Sequence, residues 1–331
     1  MDLNVSFSLF GQKKKMNVDK SIRIVLLYMM VSFLMTTCNG RINTSKYPEI
    51  TRVQQSIKEE NGLVKFSVIQ TGRAKTQEAF VYAGGNIFRK CEISHVAVWV
   101  KHPNGDFLFD TGLGDSIDGQ FDEMSFLHKQ LFKYHKEYSV KYQLIREGID
   151  PAVIKTIVLS HLHWDHCSGI KDFPGADVYT TEEELTFART KDAHAPAFLK
   201  SQYDGDEVSW KYLSFTNSSY ESFDQSCDYF GDGSVVFVKL GGHTKGSVGM
   251  FINQSGKRYF FSGDITWNIE GFKRPSRKHF IPSSLVDADM NHLDRVIVNI
   301  HQLMKADSSL IVIPAHDYSA QKELKHFPDF Q

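Results

Sequence analysis

The 331-residue sequence predicts an α+β fold: two mixed β-sheets packed face to face, helices outside, and loops converging at one edge. Two observations carry that expectation. Separate hairpin-like and strand–helix units follow one another along the chain, and polar groups recur where short apolar runs end, at Asp110, at His161 to His166, at His243, at Asp264 and at His316. Neither GxxxxGK[ST] nor GxGxxG occurs, so the glycines do not organise a nucleotide cofactor.

Hydrophobic residues at 41% and charged residues at 23% suit a folded body, and 38 Lys+Arg against 39 Asp+Glu argues against nucleic acid as the partner. Residues 1–38 read differently. Lys13, Lys14, Lys15, Lys20 and Arg23 accompany an apolar run from Ile22 to Met35, followed by Thr36-Thr37-Cys38, which is similar to an export signal of the lipoprotein type. The expectation is an exported protein of the cell envelope or periplasm, anchored to the membrane by a lipid on Cys38, with translation starting at Met1 or Met16. Residues 39–60 lead into a folded domain over 61–331. Three cysteines remain, Cys91, Cys167 and Cys227, which make no disulfide framework.

In chain order, LVKFSVIQTG opens the strands, and HVAVWVKHPNGDFLFDTG reads as a hairpin about Pro103-Asn104-Gly105. Asp110, at the end of the return strand, can brace a metal ligand. A short helix is expected over Ser125 to His135, and another opens at Asp150-Pro151 before the strand Thr156 to Leu159. Ala176 to Tyr179 is a strand, and Thr181 caps the helix EEELTFAR, whose glutamates suit its amino terminus. Residues 190–233 carry nine aromatics among polar residues and read as an insertion, either a cap over the cavity or a surface packed on a partner subunit in a homodimer. SVVFVKL, VGMFI and KRYFF are strands. A helix beginning at Ser283 or Ser284 aligns Leu285, Met290, Leu293, Val296, Ile297, Ile300 and Leu303 on one face, and LIVIPAHD is a buried strand ending at His316.

The densest chemistry is IVLSHLHWDHCSGI, residues 157–170, where four metal-ligand side chains fall within six positions. Extended backbone sends His161 and His163 to one face and Leu162 into the core, and a turn after Trp164 returns Asp165 and His166 to the same cavity. Cys167 is expected to be turned away as a small buried filler. The full list divides economically: His161, His163 and His243 around one ion, Asp165, His166 and His316 around a second, and Asp264 bridging. Imidazole and carboxylate suit two divalent ions, zinc first among them, while manganese or iron fits the same donors. Such a pair shares a water, lowers its pKa and stabilises charge on the attacked substrate.

DTG at 110–112, HLHWDH at 161–166, GGHTKGS at 241–247, SGD ending at Asp264 and PAHD containing His316 together resemble the metallo-beta-lactamase superfamily of metal-dependent hydrolases. The resemblance implies an αββα four-layer sandwich, the seven-ligand dinuclear site, and Asp110 as its support. In pattern it is nearest the lactonase-like and glyoxalase II-like branches. The lactonase branch commonly has a tyrosine hydroxyl shortly after the bridging aspartate, where this chain has Trp267, which lacks one. Tyr318 is a candidate source of a hydroxyl. The expected reaction is attack by a bridging hydroxide on a lactone, ester or thioester of a small molecule with an apolar acyl or aryl portion, Asp165 or Asp264 assisting proton transfer. The alternatives are phosphodiester hydrolysis on the same metals and a noncatalytic metal sensor.

Overall fold

The computed structural model describes residues 5–9, 12–16, 40–50, 64–190, 197–254 and 256–331. Strands β1 (Val5–Leu9) and β2 (Gln12–Met16) form an antiparallel ribbon. The rest of the stretch read as an export signal, including Cys38, lies outside the described residues. Among those residues no helix is long and apolar enough to cross a membrane.

Two sheets carry the architecture. The larger comprises β3 (Lys65–Gln77), β4 (Lys90–Lys101), β5 (Phe107–Phe109), β6 (His135–Lys136), β7 (Thr156–Val158), β8 (Asp177–Thr180) and β9 (Ser209–Tyr212). Its spatial order is β6-β3-β4-β5-β7-β8-β9. β4 and β5 are the hairpin expected about Pro103-Asn104-Gly105, with Val98 opposite Phe109, while β5, β7, β8 and β9 run parallel. The smaller sheet holds β10 (Ser226–Asp228), β11 (Val235–Lys239), β12 (Val248–Gln254), β13 (Lys257–Phe261) and β14 (Leu310–Ile313) in sequential order.

Alternation along these strands builds three apolar layers. Phe66, Val98 and Phe109 from one sheet meet Phe237, Met250 and Phe261 from the other, so the inner faces of both sheets share a core. Ile157 and Val178 face the opposite way, onto Leu144 and Leu185 of flanking helices. Val238, Phe251 and Phe260 pack against Leu293, Ile297, Ile300 and Leu303 of the helix Met290–Ala306. Burying each such leucine or isoleucine contributes about 1.5–3 kcal/mol. The result is helix, sheet, sheet, helix, the four-layer arrangement that the motifs imply.

One sequence expectation is corrected. The apolar face running from Leu285 to Leu303 is one stripe but two helices, Phe280–Val286 and Met290–Ala306. The first ends at Val286, with Asp287 in extended conformation after it, and Asp289 starts the second, its carboxylate accepting from the backbone N–H of Asn291 and His292 at 2.9 Å. The aromatic stretch 190–233 is described at residue 190 and from 197 onward. It supplies an edge strand to each sheet, β9 and β10, and Tyr203, Tyr220 and Phe223 enter the cores because those edges need apolar cover.

Candidate metal centre

Every strand expected to end in a ligand delivers it to one edge. After β7 the chain bends at Ser160 and runs through His161 to His163, which is extended, and the short helix Trp164–Cys167 then turns Asp165 and His166 back. Leu162, between the two histidines, is fully buried in the outer core. Cys167 faces away, its thiol donating to Gln202 Oε1 at 3.1 Å, and burial pushes that thiol well up from its ordinary value. Gly242 holds a positive φ of 82°, and a Cβ there would meet the Leu293 backbone nitrogen at 2.7 Å, so glycine is needed for the loop carrying His243 to lie against the 290–306 helix.

The donor atoms converge. His243 Nε2 lies 3.2 Å from His161 Nε2 and 3.0 Å from His163 Nδ1. A tetrahedral zinc with bonds of about 2.0–2.1 Å to nitrogen sets ligand nitrogens roughly 3.3 Å apart, so these two separations have the size of edges of such a site. On the other side Asp264 Oδ1 lies 3.2 Å from His166 Nε2, and Asp264 Oδ2 lies 3.0 Å from His316 Nε2 and 3.7 Å from His243 Nε2. Asp264 therefore spans both halves. Asp165 Oδ2 is 3.3 Å from His316 Nε2.

The outer hydrogen bonds decide which nitrogens carry protons. His243 Nδ1 donates to Asp287 Oδ1 at 2.7 Å, His166 Nδ1 to Asp110 Oδ2 at 2.9 Å, and His316 Nδ1 to the Ser94 carbonyl at 2.8 Å. Each bond leaves a lone pair on the Nε2 that faces the cluster. Asp110 sits at the end of β5 with φ 58°, a left-handed conformation Asp tolerates, and also accepts from the Ser160 backbone N–H at 2.7 Å. Imidazole nitrogens and carboxylate oxygens thus face one another at about hydrogen-bond distance inside a buried cluster, an arrangement that divalent cations would hold.

Among the protein groups alone the electrostatics divide. Burial first, and then neighbouring histidines, push His161 and His163 well below the ordinary imidazole range. Burial also opposes charge on His166, yet Asp264, Asp110 and Asp165 raise it well above that range, and Asp264 and Asp165 raise His316. Asp264 is held well below the usual carboxylate range, against its burial, by His316 and His166. Among the described residues, three donor groups come together: His161, His163 and His243; His161, His166 and Asp264; and His95, Asp165 and His316. They form a binuclear metal-binding arrangement.

All seven ligand residues named from sequence meet here, with Asp110 behind His166. Trp267 lines the cavity, and its Nε1–H donates to Asp264 Oδ2 at 2.9 Å. Tyr318 lies elsewhere: its ring sits under the Arg73 guanidinium, 5.3 Å away, and it is not among the residues lining the cavity. The cavity has a volume of about 310 Å³, and Phe80, Ile93, Leu131, Phe132, Ile281 and Leu285 give it apolar walls. Sequence reasoning missed four contributors. His95 sits in the apolar run of β4, Glu184 bonds the backbone N–H of Leu162 and Gly246, and the buried pair Lys278–Asp287 stands behind His243. For His95 the available signal was a single histidine in the interior of an apolar strand.

Known proteins place this geometry. N-acyl homoserine lactonase AttM of Rhizobium radiobacter is 25% identical over 237 residues, spanning 70% of this chain and 84% of that protein. Probable metallo-hydrolase Rv2300c of Mycobacterium tuberculosis is 26% identical over 253 residues, spanning 70% and 77%. Among solved structures, an N-acyl homoserine lactone hydrolase with N-hexanoyl-L-homoserine at its catalytic metal centre superposes with a TM-score of 0.62 at 16% identity, over 81% of this chain and 99% of that one. The dizinc lactonase AidC gives 0.53 at 17%, over 85% and 92%. At such identities these two show a shared fold. The sequence profile of the metallo-beta-lactamase superfamily matches residues 92–316, the span that holds every ligand described above, and the chain belongs to that superfamily.

Proposed function

We propose that this protein is a metal-dependent hydrolase of a lactone or other carboxylic ester, acting on a small molecule with an apolar acyl or aryl portion. The observation that carries the reading is the buried cluster of five histidines and two aspartates opening into a cavity whose walls are largely apolar. Similarity to the lactonase AttM supports the same substrate class. Two divalent ions bound there, zinc best suited to these donors, would supply Lewis acidity and a water made nucleophilic near neutral pH.

The chain's own residues do the rest. His161, His163 and His243 would hold one ion, Asp165, His166 and His316 the other, with Asp264 between. Asp110 and Asp287 keep the Nδ1 protons in place, so that Nε2 stays free to ligate. Phe132, Ile281 and Leu285 exclude water from the apolar part of a substrate and orient its carbonyl toward the cluster. Trp267 offers no hydroxyl to the substrate and instead holds the bridging carboxylate. The basic and apolar pattern before Cys38 supports placing this chemistry outside the cytoplasm.

The test is a hydrolysis panel of lactones, aryl esters, thioesters and phosphodiesters with metal content measured in parallel, and His163→Ala and Asp264→Asn as controls. Two ions per chain and lactone or ester turnover that disappears with chelation and returns with zinc are expected. Turnover that survives complete metal removal, or turnover of phosphodiesters alone, rejects the proposal.

A further inference from the structure

His95 does not follow a strand end as the other histidines do. It lies inside β4, opposite Gly72 of β3, where the register between the two strands shifts at 70–72. Such irregularities re-aim a side chain, and here the ring is turned inward: it is 4% exposed, lies edge-on to His316 at 5.4 Å between centroids, and lines the metal cavity. Thr71, at the shift, donates its hydroxyl to the His95 carbonyl at 2.9 Å and so fixes the backbone of the histidine.

The ring's Nδ1 lies 3.1 Å from Asp165 Oδ2. A carboxylate only accepts, so Nδ1 must carry the proton, which leaves a lone pair on Nε2, a buried atom with no hydrogen-bond partner. The same Asp165 oxygen faces His316 Nε2 at 3.3 Å. Residue 94 braces the other ligand, since the Ser94 backbone N–H donates to the His316 carbonyl at 3.2 Å and the Ser94 carbonyl accepts from His316 Nδ1. Two consecutive residues of β4 therefore hold two ligands of one half-site. Among the described residues, the three-histidine half-site has no such hydrogen bond with β4.

We propose that His95 is a positioning residue for the second ion, donating Nδ1–H to Asp165 so that the carboxylate presents Oδ2 beside His316. This rests on reading the cluster as a two-metal centre. A carboxylate without that donor swings among rotamers and between one- and two-oxygen ligation, and the ion beside it binds more weakly. The three neutral imidazoles around the other ion do not depend on Asp165, so the two ions should respond differently.

The experiment is stepwise titration of the metal-free protein with Zn²⁺ against a chelating indicator, for wild type, His95→Phe and His95→Gln, with the melting temperature of each metal-free protein. In His95→Phe one of the two zinc affinities should fall by about 10- to 100-fold, while the other moves less than about threefold. His95→Gln, which keeps a side-chain N–H, should recover most of the loss, and the metal-free melting temperatures should agree. Two ions bound by His95→Phe with wild-type affinities would overturn the inference. A parallel loss of both affinities with a lowered metal-free melting temperature would also overturn it, since His95 would then be a packing residue. A wild-type chain that binds fewer than two zinc ions would reject the two-metal reading itself and the inference with it.

Discussion

The indole Nε1–H of Trp267 donates to Asp264 Oδ2 at 2.9 Å, so the side chain that follows the bridging carboxylate is tied to that carboxylate rather than offered to a substrate. The same oxygen faces His316 Nε2 at 3.0 Å, which makes Trp267 a stay on the atom shared between the two half-sites. A hydrogen bond to a charged acceptor contributes about 1.5–3 kcal/mol. Trp267→Phe keeps an aromatic wall and removes only the donor, and is expected to weaken zinc retention about tenfold with little change in the stability of the metal-free fold. Competition with a chelating indicator checks it; wild-type retention would show that the bond does not hold the carboxylate.

Glu184 joins the two ligand loops. It is fully buried, with Oε1 accepting from the Leu162 backbone N–H at 2.9 Å and Oε2 from that of Gly246 at 3.0 Å. Leu162 separates His161 from His163, and Gly246 closes the turn after His243, so one carboxylate sets the spacing of the three-histidine half-site. Glu184→Ala strands two buried donors at a cost of about 1–3 kcal/mol each. Urea denaturation should show a loss of roughly 2–6 kcal/mol on that basis, and Glu184→Gln, which keeps one acceptor oxygen, a smaller one.

Behind His243 stands an ion pair without solvent contact. Lys278 Nζ and His243 Nδ1 both lie 2.7 Å from Asp287 Oδ1, and the side chains of Lys278 and Asp287 are inaccessible. Removing one partner of a buried pair costs about 3–5 kcal/mol because the other charge is left alone. Asp287→Ala should therefore be strongly destabilising, and Asp287→Ala with Lys278→Met much less so. Zinc affinity separates the roles: the double variant regains stability but leaves the His243 proton without an acceptor, so its affinity should stay about 10- to 100-fold low. Recovery of both together would mean that Asp287 serves only Lys278.

What was legible in the sequence was whatever chemistry the chain writes contiguously. HLHWDH, the glycine-flanked His243, and the carboxylate or histidine at the ends of β5, β13 and β14 stand out because a strand that stops at the site must spell its ligand next to an apolar run. His95 is silent by the same logic, since one polar residue in the middle of β4 has the pattern of a satisfied core histidine. Glu184 looks like a helix amino-terminal charge, and only the packing of the 182–188 helix turns it inward while Glu182 and Glu183 face solvent. Asp287 is hidden because apolar spacing continues across the break between two helices. The aromatics of 197–230 are hard to read for a different reason: short edge strands have weak periodicity, so the sequence does not announce that β9 and β10 join the two sheets.

Acid stability offers a reading independent of the metal ligands. Burial raises the Asp172 carboxyl to about 6, and the Asp115 carboxylate adds to that; the hydrogen bond from the Asp115 backbone N–H, and Lys141 and Lys136, act the other way. The ordinary value is 3.8. Between those two values the folded chain binds more protons at this residue than the unfolded chain, so its contribution to stability falls as pH rises through the window and is lost above about 6. Asp172→Asn removes the titration but keeps an oxygen to accept from Asp115. The variant should match the wild type near pH 4 and exceed it at pH 7 by on the order of 2 kcal/mol, measured by urea denaturation of the metal-free protein across that range. A stability difference that does not change with pH would show that the Asp172 carboxyl is already ionised in the folded chain at the acid end.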